Sequence, residues 1–146
     1  YGGSGATLGL VIALILFSKA KDQKSIAKLS LAPGIFNINE MVIFGLPIVL
    51  NPIYIIPFVL APIVNILIGY GATCVFKIMP PIAYGVPWTT PGPLVPFLGT
   101  GGNLVGLLMG IVCLAVSVLV YAPFVIAASK AARMNDSEKE LGEGAI

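Results

Sequence analysis

The chain has 146 residues, of which 58% are hydrophobic and 10% are charged, and its net charge is +2. Soluble domains carry about 25% charged residues, so this composition, with a mean hydropathy of +1.01, excludes an ordinary soluble domain and indicates a membrane protein. The sequence contains no histidine, which excludes a histidine metal site and a Ser-His or Cys-His nucleophile. We expect no metal, no cofactor and no nucleic-acid partner.

The first part of the chain predicts one membrane span followed by a cytoplasmic loop. Residues 1–18 just reach the length of about 17–25 residues that a helical span needs. Their glycine-rich start is either an unwound helix end that offers amides to a ligand or the edge of a fragment. They lack the features of a signal peptide. The chain starts without an initiator methionine and holds only three or four candidate membrane segments, so we expect it to be the C-terminal part of a longer protein. Residues 19–28 hold four lysines and one aspartate, which indicates the cytoplasmic side.

Residues 29–51 are long enough to cross a membrane but are predicted to form a re-entrant hairpin. Prolines near both ends interrupt the helix, and Asn37, Asn39 and Glu40 place polar groups near the middle. Irregular backbone at membrane depth persists only where protein or a water-filled cavity surrounds it.

The remainder predicts two further spans and a proline-rich connection. Its segments are a span over 53–76, an ordered non-helical loop over 78–102, a span over 103–128 and a cytoplasmic tail over 129–146. Both basic segments are expected on the cytoplasmic side, so the chain between them crosses an even number of times and the hairpin returns to the side it entered. Glycines at every fourth position from 102 to 110 predict close helix packing rather than ligand binding. Both cysteines are expected to be buried apolar side chains. The predicted fold is an all-α integral membrane protein with about three transmembrane helices and one re-entrant helical hairpin.

Glu40 is the principal candidate functional residue, because Lys77 is the only other charged side chain between Lys28 and Lys130. A carboxylate at mid-membrane costs roughly 2.5–3.5 kcal/mol on the insertion scale. In one interpretation Asn37 caps a helix and Glu40 completes a capping box. In the other, Glu40 faces a cavity and accepts hydrogen bonds from a hydroxylated ligand. A carboxylate has two oxygens, so both can hold together.

The chain's only tryptophan, Trp88, precedes two hydroxyl-bearing residues, Thr89 and Thr90. An anchor at the membrane interface is the ordinary role of such a residue. On a loop braced by prolines, the same indole could instead offer a flat platform to the apolar face of a ligand ring.

Five stretches carry a resemblance to a known family, in the same order and over almost the whole chain: GGSGATLGL, APGIFNINEMVIFGLPIVLNP, VPWTTPGP, GTGGN and VLVYAPF. They resemble the membrane (IIC) component of the lactose/cellobiose/diacetylchitobiose class of bacterial phosphotransferase systems. The resemblance implies a multi-pass permease of the bacterial cell membrane that is longer than this chain and is a homodimer at full length.

The resemblance also implies a function. A disaccharide enters from outside, is held in a membrane cavity and is phosphorylated at its 6-hydroxyl by the phosphocysteine of a cytoplasmic IIB partner. The expected substrate-binding residues are Glu40, Asn37, Asn39, Trp88, Thr89, Thr90 and Ser4. Met41 replaces the proline of the family pattern, and the family's histidine belongs to an earlier hairpin, so no catalytic residue and no complete catalytic site is expected here. The alternative function is a structural or dimerising membrane module without a sugar site; a membrane hydrolase is disfavoured because no nucleophile–base pair is present.

Overall fold

The computed structural model describes residues 3–143, with the side chains of 49, 136 and 138–143 left out. Within these residues the chain forms helices and turns and no β-strand. The α-helices are α1 Thr7–Phe17, α2 Lys21–Ile35, α3 Glu40–Gly45, α4 Pro52–Tyr70, α5 Leu94–Gly99 and α6 Leu104–Glu143. A 3-10 turn at Ser4–Ala6 precedes α1, another at Ile48–Leu50 precedes α4, and a π-helical turn at Gly71–Val75 follows α4.

Helix α6 is the element against which the others pack, since it contacts α1, α4 and α5. Helix α1 lies between α6 and α2, and α3 packs on α2. Helix α1 runs in the same direction as α6, because Gly9 lies against Ser117 and the amide of Lys19 donates to Ser129 Oγ at 2.8 Å. The buried core between these helices includes Leu10, Leu14, Tyr54, Tyr121 and Val125.

Among residues 3–143, two helical stretches are long and apolar enough to cross a membrane: Pro52–Val75, with 24 residues, and Leu104–Asn135 of α6, with 32. Each exceeds the hydrocarbon thickness of about 30 Å at about 1.5 Å per residue. The sequence predicted a third span over 1–18, but its apolar helix is confined to Ser4–Phe17, about 21 Å long. Gly3 before this stretch and Gly5 inside its first turn adopt positive φ, so the regular α-helix begins only at Thr7.

Asparagines start both long helices. Asn51 Oδ1 accepts from the Ile53 amide at 3.0 Å, with Pro52 at the first helical position. Asn103 Oδ1 accepts from the Val105 amide at 2.8 Å. Each side chain satisfies one of the amides that a helix start leaves without an intrahelical partner.

The sequence predicted a loop over residues 19–28, but from Lys21 onward these residues belong to the helix Lys21–Ile35. Lysine, glutamine and alanine favour helix, Asp22 in the first turn suits the helix dipole, and Ala27 is buried. Pro33 lies inside this helix, two residues before its end. There it removes only one hydrogen bond, and its carbonyl accepts from the amides of Phe36 and Ile38. Residues 29–51 are therefore two helical arms around a polar turn, with a first arm that begins further back than predicted.

The other differences are local. The proline-rich connection 78–102 contains α5, because Pro96 occupies the first turn of that helix, where the missing N–H has no intrahelical acceptor. Helix α6 continues past 128 to Glu143. Cys113 is buried as predicted, whereas Cys74 is exposed.

Candidate sugar-binding site

The turn at 36–39, between α2 and α3, is the centre of the candidate site. Asn37 closes α2 by donating its amide to the Gly34 carbonyl at 3.1 Å. Its φ of 64° lies in the left-handed region, which asparagine tolerates better than most residues and which commonly ends a helix. This backbone conformation turns the chain from one helical arm to the other.

The Asn37 side chain ties this turn to the tryptophan loop. Its Nδ2 donates to the Trp88 carbonyl at 2.6 Å and to the Thr90 carbonyl at 2.8 Å. The loop itself is a tight turn, with the Thr90 amide donating to the Pro87 carbonyl at 3.0 Å. One amide group thus fixes the position of the loop that carries the indole and both threonines.

The Asn39 side chain ties the same turn to the glycine-rich segment before α1. Asn39 is buried, and its Nδ2 donates to the Ser4 carbonyl at 2.9 Å. Gly3 approaches so closely that a Cβ there would lie 2.8 Å from the Asn37 carbonyl oxygen. Tyr121 of α6 anchors the same segment, its hydroxyl donating to the Gly5 carbonyl at 2.5 Å.

A cavity of about 340 Å³ lies where the turn, the tryptophan loop and the glycine-rich segment meet; it is lined by Gly3, Asn37, Val86, Pro87, Trp88 and Val95. The Trp88 side chain is 71% exposed. The wall therefore combines an aromatic surface with polar backbone and amide groups, which is the usual make-up of a small-molecule site.

Glu40 begins α3 directly after the turn, and its side chain is exposed. It does not line the cavity of about 340 Å³. The capping-box interpretation is wrong, because the residue before α3 is Asn39 rather than Asn37, and no side-chain hydrogen bond caps that helix. The Asn37 amide is instead turned towards the tryptophan loop, whose carbonyls offer it two acceptors.

The structure thus joins five of the seven expected residues in one hydrogen-bonded cluster: Ser4, Asn37, Asn39, Trp88 and Thr90. The other two, Glu40 and Thr89, are exposed and adjoin the cluster in the chain. The sequence did not identify Gly3, Val86, Pro87 and Val95 as cavity-lining residues. The positive φ of Gly3 follows from a glycine-rich pattern, but nothing in the sequence places the apolar side chains on this wall. No group of metal-ligating side chains is found among the residues that the structure describes.

A second cavity, of about 350 Å³, adjoins the first at Gly3 and is also lined by Ser4 and Asn65. Asn65 lies on α4, and its Nδ2 donates to Ser117 Oγ on α6 at 2.8 Å. Its Oδ1 is buried and has no hydrogen-bond partner within the described residues. A polar side chain inside a membrane helix is a signal that the sequence alone provides.

Residues 1–62 match the family described as Phosphotransferase system, EIIC. The cellobiose-specific EIIC component of the PTS system from Lactococcus lactis is 49% identical over 130 residues, which cover 89% of this chain and 26% of that protein. The oligo-beta-mannoside-specific EIIC component from Bacillus subtilis is 40% identical over 144 residues, covering 99% of this chain and 32% of that protein.

A similar fold is present in the crystal structure of the transporter ChbC, the IIC component from the N,N'-diacetylchitobiose-specific phosphotransferase system. The TM-score is 0.86 with 42% identity, over 93% of this chain and 32% of that one. The chain therefore spans about a quarter to a third of the length of the relatives that it matches.

Proposed function

Because this chain belongs to the phosphotransferase-system EIIC family, we propose that it forms the sugar-binding part of a membrane permease that imports a disaccharide. The relatives are named for cellobiose, lactose and diacetylchitobiose, so a β-linked disaccharide of this type is the proposed substrate. The observation that carries the proposal is the turn at 36–39, whose two asparagine amides hold the tryptophan loop and the glycine-rich segment around one cavity.

The chemistry of the cluster fits a sugar. The indole of Trp88 provides a flat apolar surface for the carbon face of a pyranose ring, while Thr89, Thr90 and backbone carbonyls offer hydrogen-bonding groups for hydroxyls. Glu40 accepts from a sugar hydroxyl at the edge of the cluster, since its carboxylate is exposed one residue beyond the buried Asn39. A charge-assisted bond of this kind is stronger than a neutral one.

The proposed reaction is phosphorylation of the 6-hydroxyl of the bound sugar by a IIB partner. The phosphoryl group leaves the sulfur of the partner's phosphocysteine and joins the sugar oxygen, so an S–P bond breaks, an O–P bond forms and the hydroxyl proton passes to a base. We assign no catalytic group to the chain described here. Its contribution is to hold the sugar, which reduces the entropy cost of the transfer.

We propose that the protein is multi-pass, with the lysine-rich start of α2 and the end of α6 on the cytoplasmic side, and that it forms a homodimer at full length. Positive charge flanks the apolar helices at both places. The parallel arrangement of α1 and α6 supports this orientation, because it puts Lys19 and Ser129 at the same level.

The alternative, a structural or dimerising module, has less support. Glycines spaced four residues apart, as at 102, 106 and 110, would suit a dimer interface. Two of them instead pack within the chain, since Gly106 lies against the Pro96 carbonyl and Gly110 against Pro93. Helix packing is therefore confirmed as the role of these two glycines, and their surface is occupied by α5 and the residue before it.

The test is Glu40→Gln in the full-length protein, with binding and uptake of a radiolabelled disaccharide as the measurements. A hydrogen bond to a charged group contributes about 1.5–3 kcal/mol and a neutral one about 0.5–1.5 kcal/mol. The glutamine oxygen can still accept, so binding should weaken by about 1–1.5 kcal/mol, or about fivefold to tenfold. Membrane insertion and thermal stability should be unchanged, because the side chain is exposed.

Asp22→Asn is the matched control, since it also removes one exposed carboxylate, in the first turn of α2, and should leave uptake unchanged. Undiminished binding by Glu40→Gln would refute the assignment of Glu40. Absence of disaccharide binding by the wild-type protein would refute the proposed function itself.

A further inference from the structure

One cavity in the described part of the chain lies away from the candidate sugar site, between the end of α1 and the second half of α6. Its volume is about 860 Å³, and its walls include three apolar side chains and three cationic ones: Leu16, Phe17, Ile126, Lys19, Lys130 and Arg133. We call this the basic cleft. None of its residues lines the cavity beside Trp88.

The basic cleft lies at the level where both helices change from apolar to charged. Helix α1 ends at Phe17, and the bond from the Lys19 amide to Ser129 Oγ, 2.8 Å long, holds the following chain against α6. On α6 the apolar run gives way to Lys130 and Arg133 at the same place. Because α1 and α6 are parallel, the two changes in polarity coincide, as they do at a membrane–water interface.

A ligand that contacts both the apolar and the cationic side chains of the cleft favourably must carry an anionic group and apolar chains together. The side chains of Leu16, Lys130 and Arg133 are all exposed. The volume falls within the range of about 300–1,000 Å³ that holds drug-sized ligands, which is far more than one phosphate ion fills. A soluble anion would leave the apolar side chains of Leu16, Phe17 and Ile126 uncovered, and an uncharged lipid would leave the cationic side chains without an anionic partner.

We propose that the basic cleft binds an anionic phospholipid, with its phosphate between Lys19, Lys130 and Arg133 and its acyl chains along Leu16, Phe17 and Ile126. Basic pockets between membrane helices on the cytoplasmic side are suited to anionic headgroups. The proposal is independent of sugar binding, because it rests on residues that do not line the cavity beside Trp88.

The test uses the full-length protein in nanodiscs of equal parts phosphatidylcholine and phosphatidylglycerol, with retained lipid identified by native mass spectrometry. The wild-type protein should retain phosphatidylglycerol in preference to phosphatidylcholine. The double variant Lys130→Gln/Arg133→Gln should bind it about thirtyfold more weakly, since each cation near an anionic surface contributes about 1 kcal/mol and about 1.4 kcal/mol is a factor of ten.

The matched control is Lys21→Gln/Lys28→Gln, which removes two exposed cations of α2 that do not line the cleft and should leave lipid retention unchanged. An equal loss in both double variants would mean a general charge effect and would overturn the site. Inorganic phosphate added in excess should not displace the lipid; displacement would identify a soluble anion as the ligand instead.

A second measurement needs no variant and therefore does not depend on folding of the mutants. Photoactivatable phosphatidylglycerol in vesicles with the wild-type protein should crosslink to residues of α1 and α6 that line the cleft. Crosslinks elsewhere only would show that another part of the full-length protein covers the cleft, or that a protein partner occupies it, and either result refutes the lipid proposal.

Discussion

The two hydrogen bonds of Asn37 make the most specific prediction about the candidate site. Replacing Asn37 by Asp keeps the size of the side chain and its tolerance of a positive φ, but it exchanges a donor for an acceptor. The two carbonyls that receive Nδ2, at 2.6 Å from Trp88 and 2.8 Å from Thr90, would then face a carboxylate. The loop should detach from the turn.

The expected magnitude follows from the two bonds. Each contributes about 0.5–1.5 kcal/mol net, so the pair stabilises the docked loop by about 2 kcal/mol. If the loop must be docked to bind sugar, the apparent dissociation constant rises in inverse proportion to the fraction of molecules in which the loop is docked. We therefore expect Asn37→Asp to weaken disaccharide binding by up to about thirtyfold, at about 1.4 kcal/mol per tenfold.

The assay is calorimetric titration of the full-length protein with the disaccharide, accompanied by thermal unfolding. Asn103→Asp is the matched control, because Asn103 acts through its Oδ1 as the acceptor for the Val105 amide and a carboxylate can do the same. The control should bind sugar normally. Wild-type affinity in Asn37→Asp would show that these bonds do not position the loop, and the account of the site would then be wrong.

Two further predictions concern the packing that supports the site, each measured by reversible unfolding of the full-length protein in detergent. Tyr121→Phe should cost about 1 kcal/mol, since it removes the bond to the Gly5 carbonyl and such bonds between membrane helices average about 0.6 and reach about 1.7 kcal/mol; an unchanged midpoint would contradict it. Gly110→Ala should lower the free energy of unfolding by about 1–3 kcal/mol, because its Cβ would lie 2.5 Å from the Pro93 carbonyl oxygen. The control Gly69→Ala should be neutral or stabilising, because its Cβ would have no heavy atom within 4 Å.

The parts of the fold that the sequence predicted are those that depend on hydropathy and length. The apolar runs at 53–76 and 103–128 correspond to α4 and α6, since about twenty apolar residues bounded by turn or charged segments have few other arrangements. The close approach of Gly106 and Gly110 to a neighbouring backbone also follows from their spacing, because residues four apart lie on one face of a helix.

The parts that the sequence missed depend on partners that are distant in the chain. The pattern from Asn37 to Glu40 has the spacing of a capping box, but that pattern considers only local hydrogen bonds. Asn37 bonds instead to carbonyls more than 50 residues away, and Asn39 to one 35 residues away. Local spacing cannot show whether an asparagine side chain caps the next helix or bonds to a distant carbonyl. It therefore assigned the wrong residue as the cap.

At the turn at 36–39 the asparagine side chains hold the neighbouring segments in place, whereas ligand binding is proposed for other side chains. The two asparagine amides donate to the backbone carbonyls of Ser4, Trp88 and Thr90. The side chains of these three residues take no part in those bonds. Glu40 has no donor of its own when ionised and is suited to receive one from a ligand. If the turn at 36–39 moves during the proposed transport, it must either break the three hydrogen bonds of its asparagines or carry the tryptophan loop and the glycine-rich segment with it. Breaking these bonds would cost about 0.5–1.5 kcal/mol for each, so the cluster should move as one body. A bound sugar would then keep its contacts while the side of the membrane from which it is accessible changes.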